Sequence, residues 1–102
     1  MLDHKIEVSG RARQMLTAHV RFLAEVDVKA VDKVRTEVIT GIRSLKSMPE
    51  RCPFLVGDFI PPNKYHKLVI ENWYLVLYQI RNQTVYVEYI IDCRQDYSWL
   101  LR

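Results

Sequence analysis

The sequence predicts an α+β protein: an N-terminal strand, a helical hairpin, and then a three-stranded antiparallel meander. Two observations support this prediction. Apolar residues recur every three or four positions through the first half, as they do on one face of an amphipathic helix. The C-terminal part is rich in aromatic and β-branched residues, which favour strands. With 102 residues, the chain is expected to form a single domain, residues 1–102.

The first half accounts for one strand and two helices. Alternation in the segment HKIEV is typical of a short strand. Ser9 is the expected N-cap of the first helix, whose apolar face extends over residues 12–26. Asp27 is the expected cap of the second helix, whose apolar face extends over residues 31–45. Because the link between them is so short, the two helices are expected to form an antiparallel hairpin.

A long loop and three strands follow. Residues 49–63 contain all four prolines, which predicts a connecting loop. The breaks Glu71–Asn72 and Asn82–Gln83 are of hairpin length and separate three strand-like segments, YHKLVI, WYLVLYQIR and TVYVEYII. These segments predict an antiparallel meander, with the N-terminal strand beside it.

Alternation then divides the meander into two faces if both breaks are two-residue loops. The face expected under the helices carries Tyr65, Lys67, Val69, Tyr74, Val76, Tyr78, Ile80, Val85, Val87, Tyr89 and Ile91. The open face carries His66, Leu68, Ile70, Trp73, Leu75, Leu77, Gln79, Arg81, Thr84, Tyr86, Glu88 and Ile90. Because the open face is also apolar in its middle, a cover is expected. The candidates are the loop 49–63, the C-terminal Trp99 and Leu100, or another protein.

Charge and composition narrow the class of protein. The net charge of +3 permits contact with nucleic acid or an acidic partner, although basic residues on helices usually form a solvated face. No apolar run is long enough to span a membrane and the N-terminus shows no signal peptide, so a cytoplasmic protein is expected. Cys52 and Cys93 are expected to be free thiols. His4 and His19 lack partners at metal-ligand spacing, so neither a metal nor a cofactor is predicted.

The second half resembles a known family. The segments YHKLVIENWYLVLYQI and VYVEYIIDCRQDYSWLL resemble the pattern of the RelE/ParE superfamily, the toxins of bacterial type II toxin–antitoxin and plasmid-stabilisation modules. The first half matches that family only in its hydrophobic spacing. The resemblance implies a growth inhibitor whose partner is a cognate antitoxin. It also implies one of two targets: ribosome-bound mRNA, which the RelE-like branch cuts without a metal, or DNA gyrase, which the ParE-like branch inhibits.

The nuclease branch needs groups that transfer protons and fixed positive charge on the phosphate. In that branch lysines and arginines on the open face supply them. Here His66 and Leu68 stand at the two expected lysine positions, and Leu75 stands at an expected arginine. Only the end of the last strand fits the pattern of that branch, where Arg94 could hold a phosphate and Asp96 or Tyr97 could transfer protons. With His66 and Lys67 added from the second strand, the candidate catalytic residues are His66, Lys67, Arg94, Asp96 and Tyr97. The alternative is that Arg94 lies between Asp92 and Asp96 as a salt-bridged cap on the last strand.

The apolar open face favours the ParE-like branch slightly, because RNA binding needs charge. The residues expected to dock the antitoxin are Leu68, Ile70, Trp73, Leu75, Leu77, Trp99 and Leu100. Two other functions stay open: the RelE-like mRNA endonuclease, and a structural or regulatory domain without toxicity. A homodimer formed through a free edge strand is also open.

Overall fold

The structure, a computed structural model, describes residues 3–58, 60–71 and 74–93. It confirms the predicted α+β order of one strand, two helices and three strands. The elements are β1 (Lys5–Val8), α1 (Gly10–Val26), α2 (Val28–Ser44), a 3₁₀ turn (Pro49–Arg51), β2 (His66–Ile70), β3 (Tyr74–Arg81) and β4 (Thr84–Asp92). No helix in this part of the chain is long and apolar enough to cross a membrane.

Both predicted helix caps are present. The Ala12 amide donates to Ser9 Oγ at 3.0 Å, which satisfies one free donor at the start of α1. The Lys29 amide donates to Asp27 Oδ1 at 3.1 Å at the start of α2. The Asp27 amide also donates to the Leu23 carbonyl at 2.7 Å, so one residue both ends α1 and begins α2. This shared cap explains how the two helices follow each other without a linker.

The four strands form one sheet in the order β1-β4-β3-β2. The N-terminal strand lies beside the meander as expected, and it runs parallel to β4. β1 covers β4 only from Thr84 to Val87, so the outer edge of the C-terminal half of β4 needs other partners. α1 supplies them: Ser9 Oγ donates to the Glu88 carbonyl at 3.2 Å, and His19 Nε2 lies 2.8 Å from the Ile90 carbonyl.

The predicted register of β2 is wrong. Ile70 pairs with Tyr74, so three residues lie between β2 and β3 instead of two, and Glu71 takes a positive φ of 52°. A shift of one residue reverses the direction of every side chain on a strand. His66, Leu68 and Ile70 therefore lie on the face toward the helices, not on the open face.

The predicted register of β4 is correct up to Val87 and wrong beyond it. Arg81 pairs with Thr84 across the expected two-residue turn. A β-bulge then interrupts the pairing: Tyr78 pairs with Val87 but Leu77 pairs with Tyr89, which leaves Glu88 as the extra residue. In consequence Ile90 faces the helices, while Tyr89 and Ile91 lie on the open face.

Two apolar clusters pack against the sheet, one on each face. The larger cluster joins the helices to the sheet and includes Val38, Leu45, Tyr74, Val76, Tyr78, Val87 and Ile90. The smaller one lies on the open face, where Leu55 and Ile60 of the long loop cover Leu75, Leu77 and Ile91. Leu77 is 0% exposed. Of the predicted covers for this face, the loop 49–63 is present.

Candidate functional site on the open face of the sheet

Six of the predicted site residues lie outside the described residues. They are Trp73, Arg94, Asp96, Tyr97, Trp99 and Leu100. Their predicted roles in catalysis or antitoxin binding therefore stay predictions.

His66, predicted as a catalytic residue on the open face, is instead buried on the opposite face. It is 8% exposed, and its ring is stacked on Tyr78 with centroids 5.2 Å apart and lies 4.1 Å from the Phe54 ring. His66 Nδ1 lies 2.7 Å from the Cys52 carbonyl, to which it must donate because a carbonyl only accepts. This histidine fastens the start of the long loop to the sheet.

Lys67 is a half-buried residue of the open face. Its strand partner Leu77 pairs in turn with Tyr89, so the three side chains form one row across the sheet. His66 and Lys67 thus project from opposite faces of β2. The predicted register also placed them on opposite faces, but with Lys67 under the helices and His66 on the open face; the structure exchanges the two. On either register the two side chains cannot act together on one substrate.

The predicted antitoxin-docking residues divide in the same way. Leu68 and Ile70 pack against the helix-side cluster, so the expectation that they lie on the open face is wrong. Leu75 and Leu77 do lie on the open face, but the loop buries them to 4% and 0% exposure. A partner would reach these two leucines only if the loop moved.

A polar cluster lies at the bulge, and the register prediction did not place it. Arg11 Nη1 donates to the Tyr89 hydroxyl at 2.7 Å, and the guanidinium lies 5.1 Å from the centre of the Tyr89 ring. The Tyr65 and Tyr89 rings meet edge to face at 5.8 Å. Gln79 Nε2 donates to Glu88 Oε2. We call these five residues the bulge cluster.

The bulge cluster gathers a cation, a carboxylate, two phenols and an amide. Burial raises the pKa of Tyr65 to about 12, helped by the negative charge of Glu88 and by a hydrogen bond with Tyr89, while Arg11 opposes the shift. Tyr65 is therefore neutral and a hydrogen-bond donor at physiological pH. The guanidinium of Arg11 is able to bind an anion, while the phenols and the Glu88 carboxylate are the groups of the cluster able to give or take a proton.

Beyond the loop, the open face is polar and partly basic. Arg81 lies over the Tyr86 ring at 5.6 Å, and Lys64 lies over the Tyr65 ring at 5.2 Å. The sequence suggested a face that was apolar through its middle. The apolar middle exists, but the loop covers it and leaves Tyr86, Arg81 and Lys64 exposed around it.

A second set of contacts holds the loop in place. The Tyr78 hydroxyl donates to the Pro49 carbonyl at 2.5 Å, and burial raises the pKa of that phenol above its ordinary range. Arg51 Nη1 donates to the carbonyls of Ser44 and Ser47, which ties the same stretch to the end of α2. The loop that covers the open face is thus anchored at its start by side-chain bonds from the sheet and by its own arginine.

Neither the cysteines nor any group of metal-binding side chains forms a further site among the described residues. Cys52 and Cys93 are free thiols, as expected, and burial raises the pKa of Cys93. Among the residues that the structure describes, no three His, Cys, Asp or Glu side chains are grouped so that they could hold a metal ion.

Most of the bulge cluster could not be predicted from the sequence, because its residues are far apart in the chain. Arg11 and Tyr89 are 78 positions apart, and they meet only because α1 crosses the edge of β4. Glu88 was predicted on the open face, but the residues beside it in the sequence contain no signal that predicts a β-bulge. One signal was available in the sequence. Arg11 lies in the first turn of a helix, where the helix dipole disfavours a cation, and this position suggests a contact with another part of the chain.

No protein-family model matches the chain, and no curated protein matches it either. Among solved structures, the chain is similar to one described as "Chromosomal ParDE TA system from P. aeruginosa", with a TM-score of 0.71 and 11% sequence identity. The match covers 87% of this chain and 95% of that chain. At such low identity the likeness concerns the backbone: the two chains share one α+β fold along most of their length.

Proposed function

We propose that this protein is the toxin of a type II toxin–antitoxin pair, a growth inhibitor that a cognate antitoxin neutralises. The supporting observation is the fold shared with a chain of a ParDE toxin–antitoxin system, over 95% of that chain. The sequence resemblance to the RelE/ParE superfamily supports the same proposal independently, because it rests on residues and not on the backbone.

Within this proposal, a ParE-like inhibitor of DNA gyrase is favoured over a nuclease. His66 is buried with its Nδ1 engaged, and Leu68, at the other expected lysine position, is half-buried and packs against the helix-side cluster. The two positions from which the nuclease branch presents its lysines therefore offer no group to RNA on the open face. The apolarity of that face no longer supports this preference, because the loop covers the apolar part.

The test begins with a short pulse of expression in a bacterium that lacks the antitoxin. We expect growth arrest, intact abundant transcripts in primer extension, and loss of supercoiling by purified gyrase with purified toxin. Arg94→Ala is expected to weaken the arrest. Co-expression of the short reading frame beside the gene should restore growth if that frame encodes the antitoxin. Transcripts cut in phase with codons would contradict the gyrase proposal.

The bulge cluster supports a second candidate, a metal-independent endoribonuclease. Glu88 would take the proton of a 2′-hydroxyl, whose oxygen attacks the phosphorus and forms a 2′,3′-cyclic phosphate. Arg11 would hold the phosphate, and the Tyr89 hydroxyl would protonate the departing 5′-oxygen. The predicted catalytic residues Lys67, Arg94, Asp96 and Tyr97 would assist at the same face.

Two matched variants separate this candidate from gyrase inhibition. Glu88→Gln keeps the size of the side chain and removes its basicity, whereas Glu25→Gln makes the same change at an exposed position near the end of α1. A nuclease loses its phased cuts in Glu88→Gln and keeps them in Glu25→Gln. Equal cutting by both variants would exclude Glu88 as the base.

A further inference from the structure

α1 carries three arginines, Arg11, Arg13 and Arg21, and a single acidic residue, Glu25, near its C-terminal end. All three are exposed. Arg11 is engaged by Tyr89. In the part of the chain that the structure describes, the guanidiniums of Arg13 and Arg21 form no ion pair with a carboxylate.

The surface between Arg13 and Arg21 is a shallow depression without large side chains. A depression of about 300 Å³ is lined by Arg13, Gln14, Thr17, Ala18 and Arg21. The Thr17 hydroxyl donates to the Arg13 carbonyl at 3.0 Å, so it is turned back onto the helix. With a threonine and an alanine between them, nothing bulky keeps a ligand away from the two guanidiniums.

The arrangement of charge on α1 opposes the helix dipole. Its first turn holds basic residues and no acidic one, and its last turn holds no basic residue. Cations at the N-terminus destabilise a helix, and cations at the C-terminus stabilise it. Arg11 and Arg13 stand in the unfavourable first turn, whereas Arg21 lies in the C-terminal half of α1, where the dipole does not oppose a cation. Because Tyr89 engages Arg11, Arg13 is the arginine whose position the stability of α1 does not explain. Residues that break a local rule in this way tend to serve function.

We propose that this face of α1 binds the phosphate backbone of nucleic acid. Arg13 and Arg21 are eight positions apart, which places them about 12 Å apart along the helix axis. That distance corresponds to the width of a B-DNA major groove, or to three or four base-pair steps along the duplex axis. Guanidiniums bind phosphates through paired hydrogen bonds, and such contacts position a protein without reading sequence. The inference holds whether or not the chain is a toxin.

The experiment measures binding of the full chain to labelled duplex DNA of about 20 base pairs, and to single-stranded RNA of similar length, by fluorescence anisotropy from about 50 to 200 mM salt. The test variant is the double mutant Arg13→Gln/Arg21→Gln. The control is Arg35→Gln/Arg43→Gln, which removes two exposed arginines with the same spacing from α2. Thermal melting followed by circular dichroism verifies that both variants fold.

The test variant is expected to reduce the slope of log K against log salt by about 1.8 for the duplex, or by about 1.4 for the single strand. The control is expected to reduce it by less than half as much. Comparison of the two probes shows which nucleic acid supplies the phosphates. Equal losses in both double mutants would overturn the proposal, because they would indicate net charge alone. So would the absence of wild-type binding to either probe at about 50 mM salt.

Discussion

Tyr65 follows the long loop and belongs to the bulge cluster through its contact with Tyr89. Because its pKa is raised, the contribution of Tyr65 to stability can be tested by varying the pH. Burial, with help from Glu88 and Tyr89, raises the pKa of Tyr65 from 10.0 to about 12. A tyrosine with a raised pKa binds its proton more tightly in the folded state. Its contribution to stability is therefore complete below pH 10, and it is lost as the pH rises through about 12.

The size of the effect follows from the two pKa values. One pKa unit corresponds to about 1.4 kcal/mol, so wild type should lose roughly 1 kcal/mol through Tyr65 by pH 11 and roughly 2 kcal/mol by pH 12. Tyr65→Phe cannot ionise and should not show this loss. At pH 7 the same variant should be less stable than wild type by about 1 kcal/mol, because it loses one hydrogen bond.

The assay is urea unfolding of wild type and Tyr65→Phe at several values between pH 7 and pH 12. Lysines and other tyrosines also titrate in this range, but the difference between the two proteins isolates Tyr65. Tyr86→Phe, at an exposed tyrosine of the same face, serves as the matched control. If the difference between wild type and Tyr65→Phe stays constant with pH, then the reasoning about the burial of Tyr65 is wrong.

Three further predictions concern the covered face, the anchor of the long loop and the cap of α1. Leu77→Ala should cost about 2–5 kcal/mol in unfolding free energy and should expose the loop 49–63 to limited proteolysis, because Leu77 is fully buried beneath it. Tyr78→Phe should cost about 1–3 kcal/mol in chemical denaturation, since it leaves the buried Pro49 carbonyl without its donor. Ser9→Ala should cost about 1–2 kcal/mol in thermal melting, because it removes both the α1 cap and a bond to the edge of β4. A loss as small as that of an exposed substitution, such as Thr40→Ala, would contradict each estimate.

Local interactions made much of this fold predictable from the sequence. Ser9 and Asp27 cap helices through bonds to amides only two or three positions away. Their role can therefore be predicted from the residues next to them in the sequence. The turn at Asn82–Gln83 is equally local. For the same reason, the order of strands and helices followed correctly from periodicity and from the position of the prolines.

The register of the strands was not predictable, because it depends on contacts across the whole chain. One additional residue between Ile70 and Tyr74 reversed β2, and one extra residue at Glu88 reversed the end of β4. These two shifts moved His66, Leu68 and Ile70 to the helix side and brought Tyr89 to the open face. Every predicted site residue that changed face, Lys67 among them, belongs to β2.

The sequence by itself determined the α+β class, the caps and the resemblance to a toxin family, because these depend on periodicity and on residues close in the chain. Only the tertiary structure decided which residues face a ligand. Side chains on a strand alternate in direction, so a single added residue exchanges core for surface. The bulge cluster exists because α1 packs across the edge of β4 and joins Arg11 to Tyr89, 78 positions away.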